Sequence, residues 1–223
     1  DNKEIADQWI ELVESGHTRD KDVYPMLQAW VKAHSLIEIL DIGAGQGACA
    51  AQIRLTGHKY TGVEPSLFLL ERAKSQYSHE NRTFLHGSAY DLPILESTID
   101  GAFAIAVWHL LEDIKRASRE LGRVLKPGGH FLIMTANPEA YSLWMDNYSE
   151  CQLDGKRFQG QMQLKGETVS QDVLYLHTME DIQNAFEAAG LKVKTVKTFR
   201  SSEAEAGQDY FISIEGIKIQ VLD

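Results

Sequence analysis

The chain has 223 residues, enough for one domain with a proper core, and its 43% hydrophobic and 24% charged residues are ordinary for a globular protein. A formal net charge of −10 argues against a broad nucleic-acid-binding face, which needs clustered Lys and Arg to neutralise phosphates. The longest apolar run, residues 102–111, is too short to span a bilayer, and the two cysteines, Cys49 and Cys151, are far apart with no metal-ligand spacing.

With no sign of an oxidising compartment, the expected location is the cytoplasm. No secretory leader is visible at the start, although a chain that begins at Asp1 can have been trimmed. Residues 1–34 are helical in pattern. Ile5, Trp9, Leu12 and Val13 recur at helical spacing, a polar break covers residues 15–22, and Val23, Met26, Leu27, Trp30 and Val31 make a second apolar stripe. This predicts two amphipathic helices, a cap over residues 1–35, packed on the domain, with Tyr24 and Trp30 as alternative candidates to line a substrate pocket. Residues 36–223 read as the main domain.

The stretch 37–50, IEILDIGAGQGACA, organises that domain. Ile37, Ile39, Leu40 and Ile42 form a short apolar run suited to a strand buried on both faces, with Asp41 near its end. Gly43, Ala44, Gly45, Gln46 and Gly47 then turn the chain, and residues 48–55 begin a helix. Glycines allow a tight turn and close ligand approach to the backbone, so strand, turn and helix make a nucleotide-binding βα unit. An acidic residue about 20 positions on is expected to bond ribose hydroxyls, and Glu64 supplies it at the end of a second strand, 60–64. The motif alone fits more than one nucleoside-type ligand, a dinucleotide among them.

Pro65 and Ser66 open a helix reaching about Ser78, a third strand covers 83–86, and 99–107 is a nearly all-apolar fourth strand. A helix over 116–125 stops at Lys126-Pro127-Gly128-Gly129, which turns into a fifth strand, 130–135. Residues 137–176 are polar and aromatic, with Tyr141, Trp144 and Tyr148, and give no clear period. A long insertion past a strand end in an open α/β sheet is often functional, so residues 137–177 are read as a substrate lid. Thr178 and Asp181 fit a capping box for a helix ending before Gly190, followed by strands at 191–199 and 210–215, and Gly216 permits a further short strand at 217–221.

Taken together, the pieces LDIGAGQG, Glu64, GSAYDLP, IDGAFAIAVWHLLED, ELGRVLKPGGHFLIMT and AFEAAGL resemble a class I S-adenosylmethionine-dependent methyltransferase. The likeness covers about residues 37–214 apart from the insertion. It implies a Rossmann-like three-layer α/β/α sandwich with a seven-stranded, mostly parallel sheet whose last strand is antiparallel, inserted between strands 5 and 6. It implies S-adenosyl-L-methionine as cofactor and S-adenosyl-L-homocysteine as product. Gly43, Ala44, Gly45 and Gly47 would pass under its methionine part, close to Asp41, and Glu64 would accept the ribose hydroxyls. Pro65, Ser66 and Leu67 would border adenine or ribose, Ser88 and Ala89 the adenine edge, and Ala104, Ile105 and Ala106 the sulfonium. Many relatives carry aspartate at the position of Ser88, whose hydroxyl accepts a hydrogen bond without charge.

Methyl transfer from a sulfonium is an in-line displacement, so the protein's main task is alignment. His109, just past strand 4, is either a general base or structural support. Trp108, Tyr141, Trp144 and His177 complete the candidate acceptor residues, Trp108 reading first as core or cofactor-facing wall and only second as a substrate platform. No Asn-Pro-Pro-Tyr-like motif follows strand 4, which removes the usual signature of methyltransferases acting on DNA bases. The expected function is methyl transfer to a small-molecule acceptor, with a protein or RNA acceptor, or a silent partner-binding protein, as alternatives. No metal, nucleic-acid or membrane partner is expected.

Overall fold

The alternation of the central strands decides the architecture. In β1 (Glu38–Ile42), Leu40 and Ile42 face one side of the sheet and Ile39 the other. In β4 (Ile99–Ile105), Ala102 and Ala104 oppose Phe103 and Ile105, and in β5 (Leu125–Ala136), Phe131 and Ile133 oppose Leu132 and Met134. Strands apolar on both faces must be covered on both. One face packs on α4 (Ile114–Val124) and α6 (Met179–Ala188), through Leu121 and Phe186. The other packs on α1 (Tyr24–Ala33), α2 (Ala48–Gln52) and α3 (Leu67–Tyr77), through Leu27, Trp30, Ala50 and Leu70. The result is three layers. The computed structural model describes residues 10, 19–53, 57–164, 167–200 and 209–220.

With β2 (Lys59–Glu64), β3 (Arg82–His86), β9 (Leu191–Phe199) and β10 (Phe211–Lys218), the sheet has seven strands in the order β3-β2-β1-β4-β5-β10-β9. The pairs among β1 to β5 are parallel, and β10 runs antiparallel to both neighbours. This is the expected topology, including the inserted last strand. Order reverses between β1 and β4, which opens a crevice at the carboxyl ends of these strands.

Several local expectations change. The first apolar stripe of the cap lies outside the described residues. Arg19–Val23, read as polar break and stripe edge, is a turn of π-helix that runs straight into α1. The Lys-Pro-Gly-Gly turn does not interrupt the chain: β5 begins at Leu125, and Gly128 (φ +78°) is absorbed where the β4–β5 register shifts. Gly216 splits nothing, because β10 is continuous with a bulge at Glu215/Gly216. A Cβ there would lie 2.3 Å from Lys192 O, so glycine permits the close strand approach.

The insertion has structure that the sequence hid. A 3₁₀ turn (Pro138–Ala140) and α5 (Tyr141–Met145) lead into an antiparallel three-stranded sheet of β6 (Tyr148–Asp154), β7 (Arg157–Leu164) and β8 (Glu167–Tyr175). Most of its described side chains are at least partly exposed, and Phe158 and Leu174 are its buried apolar anchors. With so little apolar surface to hide, the period-two signal is faint. Tyr148 packs edge-on against Phe158 at 5.2 Å and donates to Asp172 Oδ2 at 2.7 Å.

Candidate functional site

The loop after β1 is built from left-handed residues: Gly43, Gly45 and Gly47 have φ of +77°, +56° and +85°. Only glycine adopts these at no steric cost. The N–H groups of Gly43 and Ala44 both donate to Val63 O, at 2.8 and 3.0 Å, fastening the loop to β2. At Gly43 the fit is close as well as left-handed, since a Cβ would lie 2.5 Å from Val107 Cγ2. The glycine loop therefore sits directly against the chain leaving β4.

Glu64 braces this loop from the end of β2. Its Oε2 accepts from Gly45 N at 2.8 Å and its Oε1 from Ser66 N at 2.9 Å. Burial raises its pKa, and these two N–H donors pull the other way. Each carboxylate oxygen has a further lone pair for an incoming hydroxyl. Ser66 also caps α3 by accepting from Leu69 N, while Leu67 is half exposed beside it. Pro65 O meets His86 Nε2 at 3.1 Å.

Asp41 is buried, and its Oδ2 accepts from the Tyr60 hydroxyl at 2.5 Å. Burial pushes its pKa up to about 7, against the Tyr60 hydrogen bond and the charge of Arg19. Arg19, Gln46 and Ile105 close a small cavity of about 20 Å³ with Asp41 and the glycine loop. Gln46 is itself buried, and its Nε2 has no partner. Neither Arg19 nor Gln46 stands out in the sequence: Gln46 fills a variable slot between motif glycines, and Arg19 lies in a polar stretch without pattern. Tyr24 and Trp30, candidates for the substrate pocket, are instead buried in the α1 core, where the Tyr24 hydroxyl bonds to the Arg19 side chain.

Ser88 and Ala89 form the turn after β3. Ser88 Oγ accepts from Tyr90 N at 3.3 Å, and Ser88 and Asp91 exchange backbone hydrogen bonds, which fits a structural Asp91 turn. Ala104 and Ile105 are buried, and Ala106, at the end of β4, has φ +59°. A left-handed non-glycine residue at a strand end is a strained feature of the kind that collects at functional sites.

Beyond Ala106 the candidate acceptor residues separate. Trp108 is core and not a substrate platform: it is buried and packs on Phe186 with ring centroids 5.8 Å apart. His109 points to the other group, with Trp144 at 5.9 Å between centroids. Trp144 in turn stands edge-on to Phe211 at 5.3 Å and donates Nε1–H to Tyr210 O at 2.9 Å. Tyr141 donates to His177 O at 3.2 Å, and His177 Nε2 meets Leu111 O at 2.6 Å, tying the end of the insertion to the β4 exit. Tyr210 and Phe211, at the entry to β10, complete an aromatic wall that no motif announces.

The Methyltransferase domain family matches residues 40–133, the span that holds the glycine loop, Glu64 and the turn before β5. The PH0226 protein from Pyrococcus horikoshii OT3 shares the fold with a TM-score of 0.72 at 18% identity, over 90% of this chain and 89% of that one. Residues 40–133 are a methyltransferase domain of that family. "O-methyltransferase rstn1" of Aspergillus nomiae is 38% identical over 101 residues, 43% of this chain and 44% of its own. "O-methyltransferase cnsE" of Penicillium expansum is 30% identical over 173 residues, 74% of this chain and 55% of its own. The chain spans about half the length of the curated relatives it matches.

S-adenosylmethionine is the cofactor of this methyltransferase domain, and the residues present fit it. An orphaned buried amide at Gln46, a cation at Arg19 and a carboxylate at Asp41 surround the glycine loop, the donor set that an amino-acid moiety needs. Glu64 holds spare lone pairs for a ribose diol. Among the described residues no group of histidines, cysteines and carboxylates is arranged to hold a metal ion, and no helix is long and apolar enough to cross a membrane.

Proposed function

We propose that this protein transfers the methyl group of S-adenosylmethionine to a small-molecule acceptor by in-line displacement. The observation that carries the reading is the aromatic wall of His109, Trp144 and Phe211, gathered from the turn after β4, from α5 and from the start of β10. Bound there, the cofactor supplies an activated methyl and its own leaving group. Glu64, Asp41, Arg19 and Gln46 hold the two ends of that molecule, while Ala104, Ile105 and Ala106 wall the side between them. The wall suits a compact, partly apolar acceptor, and positioning of this kind accounts for roughly 7–11 kcal/mol of barrier.

Residues 137–177 serve as the lid over this acceptor, with α5 carrying Trp144 into the wall and His177 bonded back to Leu111. The names of the fungal relatives, both O-methyltransferases, support a small molecule, and the net charge of −10 counts against an RNA acceptor. Free Cys49 and Cys151 suit a reducing cytoplasm. The test is a thermal-shift comparison of S-adenosylmethionine, S-adenosylhomocysteine, NADH and NADPH. Ligand at about 100 times Kd adds roughly 2.7 kcal/mol of stability. Stabilisation by the adenosyl sulfur compounds alone is expected; a response to a nicotinamide cofactor instead would overturn the reading.

A further inference from the structure

The hydrogen bonds around His109 fix which ring nitrogen carries the proton. His109 N–H donates to Thr135 Oγ1 at 3.2 Å, so that oxygen is already an acceptor. The same Oγ1 lies 2.9 Å from His109 Nδ1, and Ala136 N–H approaches Nδ1 at 3.5 Å. Thr135 is buried, and the nearest acceptor for its hydroxyl proton is Nδ1. Were the proton on Nδ1, it would face the Ala136 N–H, and the Thr135 hydroxyl proton would be left without an acceptor in a buried site. With Nδ1 as acceptor, every group is satisfied, and the ring proton sits on Nε2. Nε2 makes no hydrogen bond to a described protein group, and the ring stands beside Trp144 of the aromatic wall.

We propose that His109 meets the methyl acceptor as a hydrogen-bond donor through Nε2–H, with Thr135 as the residue that positions it, and that the acceptor is therefore an oxygen nucleophile. This rests on the methyl-transfer reading above. An amine nitrogen attacks with its single lone pair and has none left to accept from Nε2–H. A carboxylate or phenolate oxygen attacks with one pair while another accepts. The new C–O bond forms from that oxygen pair as the C–S bond breaks, the bonding pair stays on sulfur, and no proton moves because the acceptor arrives ionised. The donor lowers the oxygen's nucleophilicity somewhat and gains alignment in return. Burial lowers the pKa of His109 to about 4, with no charged neighbour contributing, so the ring is neutral near physiological pH.

The experiment uses the ¹⁵N-labelled full chain with S-adenosylhomocysteine and reads the ring nitrogens by long-range ¹H–¹⁵N correlation, His109 being assigned by the loss of its signals in His109→Gln. The expected spectrum has a pyrrole-like Nε2 and a pyridine-like Nδ1 at neutral pH, and Thr135→Val turns it into a tautomer mixture. A proton on Nδ1, or a ring that becomes an imidazolium near neutrality, overturns the proposal. Benzoate is then compared with benzylamine as probes. Benzoate is expected to shift Nε2–H, and its affinity to fall about tenfold in His109→Phe but little in His109→Gln, which keeps a donor. A shift with benzylamine alone, or with neither, sinks the oxygen assignment. Calorimetry of S-adenosylhomocysteine alone separates the two ideas: absent binding retires the methyl-transfer reading, while the tautomer is still measured.

Discussion

Gly43 and Val107 are mutually exclusive in size: the Val107 Cγ2 methyl sits where a side chain at Gly43 would begin, 2.5 Å from an ideal Cβ. The cofactor loop and the exit of β4 thus share one packing space, and a change at either is felt at the other.

Gly43→Ala combines that overlap with a left-handed φ and is expected to destabilise the fold by about 1–3 kcal/mol while weakening S-adenosylhomocysteine binding. Adding Val107→Ala removes the overlap but not the backbone strain, so part of the loss returns. Urea unfolding of the two single variants and the double variant measures this coupling. Strict additivity would show that the two residues do not share the space.

Glu64→Ala removes the acceptor for Gly45 N–H and Ser66 N–H as well as the proposed partner for ribose. Each buried donor left unpaired costs about 1–3 kcal/mol, so a drop in stability should accompany at least a tenfold loss in cofactor affinity. Calorimetry and thermal melts on the same variant check both. Unchanged affinity would remove Glu64 from the cofactor site.

Asp41 gives a pH signature. Its folded pKa, about 7, lies above the ordinary carboxylate value, so between these pH values the folded state holds more protons than the unfolded state. Stability contributed by this group is then greatest at low pH, falls as pH rises through that window and is level above it. The full difference is on the order of 4 kcal/mol. Asp41→Asn abolishes this component, and the difference in unfolding free energy between wild type and variant, followed from acid to neutral pH, isolates it. A cationic ligand bound against Asp41 favours the carboxylate, so cofactor binding near neutral pH should release a proton, seen as a dependence of calorimetric heat on buffer.

Ser88→Asp keeps an oxygen able to accept from Tyr90 N and adds a charge for the adenine amino group. Affinity for S-adenosylhomocysteine should tighten by about three- to tenfold, as expected for a charge-assisted bond in place of a neutral one. No gain would place adenine away from this turn.

The parts of the fold that were legible are those where burial leaves a pattern. The doubly apolar strands β1, β4 and β5, the Thr178–Asp181 capping box and the glycine turn all follow from local chemistry, and the capping box forms as expected. The meander of the insertion was not legible, because Gln161 and Gln163 and their partners Glu150, Ser149 and Thr168 hold it with polar contacts on surfaces that are not fully buried. Glu64 and the glycines were found through spacing. Arg19 and Phe211 were not, since they reach the site only by long-range packing, and Gln46 was not, since it fills a variable slot between motif glycines. Tyr24 and Trp108 illustrate the reverse: large aromatics near a site in sequence whose rings the core claims.

The placement of β10 has a consequence for synthesis. This strand, the last among the described residues, is wedged between β5 and β9 and pairs Phe211 with both Ala136 and Phe199. Strands β1 to β5 can assemble by successive crossovers as they leave the ribosome, but β9 has no partner strand and β5 no second neighbour until β10 arrives. Non-local closure of this kind is slow and leaves β5 with an open edge meanwhile. Because the same segment brings Tyr210 and Phe211 to the wall, the nascent chain acquires its cofactor loop long before it acquires a complete acceptor surface.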